Sequence, residues 1–438
     1  PRSRTRCMSS GPGIEKWVAS DAGFGRSGGS PSSTSLTASS TDSAARSFGV
    51  RSLPSKERER LGRVTVKRLR REGFTKCVAV QEGERGAIWI VAQEGVRDIA
   101  VARARNLLLF YLKPRPGAGP AAAARKEKVI AKMIRNGAML MMPTGEHEEG
   151  REPRIPAQPL YEAETPVDGS RWYLENDWGH RDAAFEEIIH LVHDMGIGTF
   201  VPGAMPDYQR ALDKEARSAI KDGRWGKGDR GVRGWLRELE EEDSLAQEYI
   251  AAVIDTYYGL WGGFRERPGG MWGIYCAKDR AEQARLDPRG QELLAQFLPP
   301  YLVGYEALID PSFEGQFLMS FDPREPYTHK SRYLVEVRLT GDKPSGVVGN
   351  DQDNVLMGNR FANNQGVINL ANNFTCGRTS VMGNIVTYAS PYLYPFVVEY
   401  SLIGAAVVFA MWRSIGSNPR YYSCPSSPHY QRTSKLSA

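Results

Sequence analysis

Cysteine is scarce in this chain: five in 438 residues, at Cys7, Cys77, Cys276, Cys376 and Cys424, with no CxxC pair among them. That dispersal excludes a zinc ribbon and a dense disulfide scaffold. The one G-x-S-x-G, Gly25-Arg26-Ser27-Gly28-Gly29, falls in a Ser- and Gly-rich stretch with no strand or helix pattern around it, and no cysteine stands near the histidines of 147–193, so a serine elbow or a Cys–His nucleophile is not expected. No apolar leader opens the chain, and it begins on Pro1, as expected of a fragment or a processed gene model. Charge of one sign is also weak. The net charge is +6, and the basic run Val66-Lys67-Arg68-Leu69-Arg70-Arg71 lacks aromatic interleaving or finger spacing. A solvated charged face is therefore expected there, and no nucleic-acid partner. Long apolar runs are missing as well, except for one near the C-terminus.

What is present reads as a composite. Apolar content of 41% and charged content of 25% suit a globular chain. Residues 1–60 are rich in Ser, Gly, Arg and Thr and cannot bury enough apolar surface to offset ordering entropy, which predicts disorder. A mixed α/β globular domain is expected over 61–338, so the fold class is α+β and helix-rich. Ala87-Ile88-Trp89-Ile90-Val91 and Ala138 to Met142 read as strands, and Ile99 to Leu112 as a helix. A further helix ends at Gly137, and helical patterns recur over 206–221, 231–242, 244–261 and 278–297. Tyr333 to Leu339 alternates as a strand does. The aromatic clusters Trp172-Tyr173, Tyr257 to Trp261 and Met271 to Tyr275 are expected to line the core or a substrate cleft.

Two of the six histidines share one short helix, opened by Asp182 as N-cap and closed by Gly196. At 100° per residue, Glu186, His190 and His193 fall on one stripe, while Phe185, Ile188, Val192 and Met195 face the other way. A carboxylate and two imidazoles beside an apolar face form a sound ligand set for zinc or iron. Ser244-Leu245-Ala246-Gln247 has the form of a capping box and opens a helix carrying Glu248 and Asp255 seven apart on one face. Glu248 is thus the expected fourth ligand. Glu187 is the expected general base of a metal-dependent enzyme, such as a hydrolase. The alternative is that these histidines are hydrogen-bonded and the acids make a solvated edge.

Composition shifts at residue 340, where Asn, Gly and Asp become frequent. Gly349, Asn350 and Asn354 recur as Gly358, Asn359 and Asn363, with period nine. This resembles an RTX-type calcium-binding repeat, which implies calcium at Asp351 and Asp353, within a linker over 339–366. Residues 85–366 also resemble uncharacterised bacterial proteins that bear such repeats.

From Ser390 to Trp412 the chain is mainly apolar and carries one charge, Glu399, which predicts a single membrane-spanning helix. Tyr392, Tyr394 and Trp412 suit the two interfaces, and Arg413, Arg420, Arg432 and Lys435 place the C-terminus in the cytoplasm. Asn373-Phe374-Thr375 is a glycosylation sequon, consistent with an extracellular side before the helix. Ser390-Pro391-Tyr392-Leu393-Tyr394-Pro395, Glu399-Tyr400-Ser401-Leu402-Ile403 and Met411-Trp412-Arg413 resemble a late transmembrane helix of otopetrins. The resemblance implies a membrane segment over 367–415, followed by a basic disordered tail over 416–438. It also implies a plasma-membrane location and Glu399 on a proton pathway. One helix encloses no pore, so the expected partners are the lipid bilayer and either otopetrin-like helices or further copies of this chain.

Overall fold

The computed structural model describes residues 49–358, apart from 84–85, 149, 177, 179–181 and 200–202, together with a strand at Thr379–Met382. The expectations for Ser390–Trp412, Glu399, the Asn373 sequon and 416–438 lie outside these residues, as does that for 1–48. Residues 49–60, expected to be disordered, are folded. Strand β1 (Arg51–Ser52) pairs with Cys77 and Lys76, and Leu53 is buried.

β2 (Arg60–Leu61) and β3 (Val64–Thr65) make a hairpin that leads into α1 (Val66–Arg71), whose first turn is capped by the Thr65 hydroxyl accepting from the Arg68 N–H. β4 (Phe74–Gly83) and β5 (Gly86–Gln93) follow as an antiparallel pair. Helices α2 (Asp98–Leu112) and α3 (Pro120–Asn136) then cross over to β6 (Met139–Met142), which runs parallel to β5 and to β7 (Gln158–Pro159). The sheet order is β1-β4-β5-β6-β7. α3 starts on Pro120 and stops at Gly137, which adopts the left-handed conformation at φ 69°.

This sheet is buried on both faces, which explains why its strands read as continuous apolar runs. Ile88, Ile90, Leu140 and Met142 face the main core with the helices. Val91, Met139 and Met141 face a smaller core closed by Val66 and Leu69 of α1. Each such side chain contributes about 1.5–3 kcal/mol on burial.

The helical half follows. It comprises α4 (Arg171–Glu175), α5 (Ala184–Val192) continued by a π-helix (His193–Gly198), α6 (Pro206–Lys221), α7 (Arg230–Glu241) and α8 (Leu245–Tyr257). The helix expected over 278–297 is two, α9 (Arg280–Leu286) and α10 (Pro288–Phe297). Asp287 breaks them: Pro288 cannot continue the first helix, and the buried Asp287 carboxylate caps the second while accepting from Tyr249, Tyr275 and Arg224.

The segment expected to be a linker is a parallel stack. β8 (Glu306–Ile309), β10 (Glu336–Leu339), β12 (Asn354–Met357) and β13 (Thr379–Met382) form one sheet. β9 (Gly315–Leu318) and β11 (Ser345–Val348) form a second, and α11 (Thr328–Ser331) lies between β9 and β10. Strands start at 306 and 315, and again at 336, 345 and 354, each step being nine residues. The asparagines of the repeat close these coils. Asn350 Nδ2 donates to the Arg332 and Leu334 carbonyls at 3.0 and 2.7 Å, and its Oδ1 accepts from Asn354 Nδ2 at 2.8 Å. Gly341 is required by close stacking, since a Cβ there would meet the Pro311 carbonyl oxygen at 2.2 Å.

Candidate metal centre

α5 buries nearly its whole circumference, including Glu186 and His190. Buried charge is costly unless paired or bound to a metal, so the partners decide what this helix does. Glu186, Glu187 and His190 each offer a ligand atom within 4.8 Å of the others, the one such group of three among the described residues. His190 Nδ1 faces Glu187 Oε2 at 3.7 Å, and its Nε2 faces Glu248 Oε1 of α8 at 3.7 Å. Gln158 from β7 donates to Glu187 Oε2 at 2.6 Å and fixes that carboxylate. The structure thus brings together Glu186, Glu187, His190 and Glu248.

Burial opposes a charge on His190, yet the surrounding Glu248, Glu187 and Glu186 outweigh it and push its pKa up to about 10. Without metal the imidazole is therefore a buried cation held among carboxylates. Its Nε2 is buried with no hydrogen-bond partner. A 3.7 Å gap to Glu248 is too long for a hydrogen bond, whereas bonds of about 2.0–2.2 Å from one zinc to a nitrogen and an oxygen span such a gap at an open angle. The donor set fits a zinc or iron ion that takes the proton's place.

His193 does not join the group. The π-helix begins at His193. The second imidazole ends under α6, where its Nε2 meets Gln209 Oε1 at 2.5 Å. Burial pushes it down to about 4, so it is neutral; its Nδ1 has no hydrogen-bond partner and the ring lines a small apolar cavity with Ile189, Tyr208 and Ile250. The expected capping box is also absent: the Ser244 hydroxyl donates to the Leu239 carbonyl, and Gln247 donates to Asp194 at 3.4 Å. Burial raises the Asp194 carboxyl to about 6, although Thr199 also donates to it.

The other end of α5 holds a second charged network that local sequence did not reveal. Asp182 receives a two-pronged bond from Arg103 Nη1 and Nη2, at 3.0 and 2.5 Å, besides accepting from the Ala184 N–H. Arg103 Nε reaches Asp168, which also accepts from the Tyr305 hydroxyl. Burial opposes the Arg103 charge, but Asp182, Tyr305 and Asp168 hold its pKa well above the ordinary value. An arginine within the apolar run Ile99 to Leu112 was the available signal. Beside this network lies a pocket lined by Trp172, Trp178, Trp261, Asp182, Asp255 and Lys330. Of the aromatic clusters, Tyr173, Tyr258 and Tyr275 are core, while Trp172 and the buried Trp261 line the pocket.

Asp351 and Asp353 sit in the turn before β12. Asp351 Oδ1 accepts from Gln352 Nε2 at 2.9 Å, and the pair belongs to no convergent group of three ligands among the described residues.

Among the described residues no helix is long and apolar enough to cross a membrane. Residues 322–437 match the family model of the otopetrins. The proton channel OtopLc of Drosophila melanogaster is 45% identical over 65 residues, which cover 15% of this chain and 4% of that channel. No solved structure matches. The start of the family match falls on α11 and strands β10 to β12, so a membrane helix is to be sought in the residues after them. The C-terminal part of the chain is similar to otopetrins, and the Glu186–Glu187–His190 group lies outside that part.

Proposed function

We propose that this chain is a membrane protein in which an otopetrin-like C-terminal helix, Ser390 to Trp412, anchors the folded domain. The observation that carries this reading is the otopetrin match over 322–437. An apolar span of that length is enough to cross a bilayer, and Glu399 within it is a proton-pathway residue once further helices surround it. Alone, one helix conducts nothing, so the chain works with otopetrin-like helices or with further copies of itself. The arginines and lysine after Trp412 support a cytoplasmic C-terminus, and the likeness to otopetrins supports the plasma membrane as the location. Alkaline carbonate washing of membranes from cells making the full chain tests the anchor. The chain should stay with the membranes, and deletion of 390–412 should release it. Release of the intact chain would contradict the reading.

A second reading rests on the 4.8 Å grouping of Glu186, Glu187 and His190. In it the folded domain is a metal-dependent enzyme of hydrolase type. Glu186, His190 and Glu248 hold zinc or iron, which supplies Lewis acidity. Glu187, oriented by Gln158, is the general base. Metal analysis of the purified chain tests it: about one ion per chain is expected, lost in His190→Ala, and a metal-free folded chain would sink it.

A further inference from the structure

The pocket beside the Arg103–Asp182 network contains a lysine whose surroundings are unusual. Lys330, on α11, retains only 8% of its exposure. Its Nζ lies 3.9 Å from the centre of the Tyr173 ring. No carboxylate among the described residues comes within ion-pair distance of it: Asp182 and Asp168, the nearby acids, are committed to Arg103. A buried ammonium without a hydrogen-bonded counter-ion is costly, and the molecule relieves that cost by holding the amine partly neutral. Burial pushes Lys330 down to about 8; Asp182 and Asp168 resist the shift and Arg103 adds to it. Of the residues that line the pocket, Trp172 and Trp178 are half-buried, while Asp255 and Trp261 are buried. The Trp261 indole N–H is buried without a hydrogen-bond partner, so a pocket-lining residue retains an unused donor.

We propose that Lys330 is a covalent site for small aldehydes and ketones, which enter the tryptophan-lined pocket and condense with its amine. The Nζ lone pair attacks the carbonyl carbon, and the C=O π pair moves to oxygen, which takes the proton released by nitrogen to give a carbinolamine. Loss of one water then forms the imine. Atoms balance without an oxidant or a reductant, and the Trp261 N–H is a donor for the carbonyl oxygen. A neutral amine is the nucleophile in such chemistry, and desolvation is the usual means of supplying it.

Lys126 provides an internal contrast. It too is buried and its charge is disfavoured, but its Nζ donates to the Tyr111 carbonyl and it is not among the residues that line this pocket. Burial without access predicts an inert amine.

The test is reductive alkylation of the full-length chain with propanal and sodium cyanoborohydride at pH 7.5, read residue by residue from peptide masses. Lys330 should react about tenfold or more faster than the exposed Lys214, Lys221 and Lys227, because far more of it is neutral. Lys126 should stay unmodified, and the Lys330 rate should rise through a midpoint near 8. Trp261→Phe should slow labelling of Lys330 while leaving the exposed lysines unchanged. Unfolding in urea should erase the preference, and Lys330→Arg should abolish the fast phase. Slower reaction at Lys330 than at the exposed lysines, or equal rates in the native and urea-unfolded chains, would overturn the proposal.

Discussion

The two ends of α5 carry charge in different ways. At its N-terminal end Asp182 is clamped by Arg103, and both side chains are almost fully buried, at 5% and 1% exposure. Further along, His190 stands among Glu186, Glu187 and Glu248, and the Glu187 and Glu248 side chains keep 15% and 16% exposure. The first network has a permanent cation matched to two acids and closed by the Tyr305 hydroxyl. In the second, among the described residues, Glu186, Glu187 and Glu248 surround a titratable imidazole, the group that a metal would engage under the proposal. A satisfied network fixes structure; the one whose imidazole nitrogen lacks a hydrogen bond is the one proposed to bind.

The largest effect should come from breaking the closed network. Arg103→Met leaves Asp182 and Asp168 buried and unpaired, and should cost about 3–5 kcal/mol in urea unfolding. A loss below about 1 kcal/mol would show that water reaches those acids and would erase the contrast between the two ends.

His190→Ala should be milder in the metal-free chain, about 1–3 kcal/mol, because water can solvate the partly exposed carboxylates it leaves behind. Its metal loss should nevertheless be complete. A variant as damaging as Arg103→Met would make the cluster architectural instead.

The pH dependence sharpens the comparison. The His190 pKa is raised in the fold to about 10, against an unfolded value near 6.5. Its contribution to stability is therefore fully present below the unfolded value and is lost as pH rises from about 6.5 through 10. Metal binding needs the neutral imidazole, so affinity should climb over the same interval. Stability of the metal-free wild type should fall across this window, and that of His190→Ala should fall less. Equal pH profiles for the two would contradict the assignment of the shift to His190.

The smallest effect belongs to His193→Phe. His193 is neutral and faces Gln209 and an apolar cavity, so metal content should be unchanged and stability altered by about 1 kcal/mol in either direction. Loss of metal in this variant would restore His193 to the ligand set.

Much of the fold was legible where signals are local. Pro206 and the charged end at Lys221 marked α6 at both limits, and Gly137 marked the end of α3. Glu186, His190 and Glu248 could be chosen from helical spacing and an apolar background. The misplaced residues failed for identifiable reasons. A helical wheel shows no tertiary partner, which is why His193, held by Gln209 of α6, looked like a neighbour of the ligands. Parallel pairing joins residues far apart in sequence, such as Val337 with Ala307 and Leu356, so a Gly- and Asn-rich stretch passed for a linker. Arg103 and Asp182 lie 79 residues apart, and no local pattern connects them.

The central claim is that one chain joins a metal-holding domain to an otopetrin-like membrane segment. Its most direct test is elemental analysis of the full-length chain, solubilised by detergent from washed membranes. About one zinc or iron per chain, abolished by His190→Ala and retained in His193→Phe, is the predicted result. A membrane-bound, folded chain without metal, or a metal-loaded chain found only outside the membranes, would contradict it.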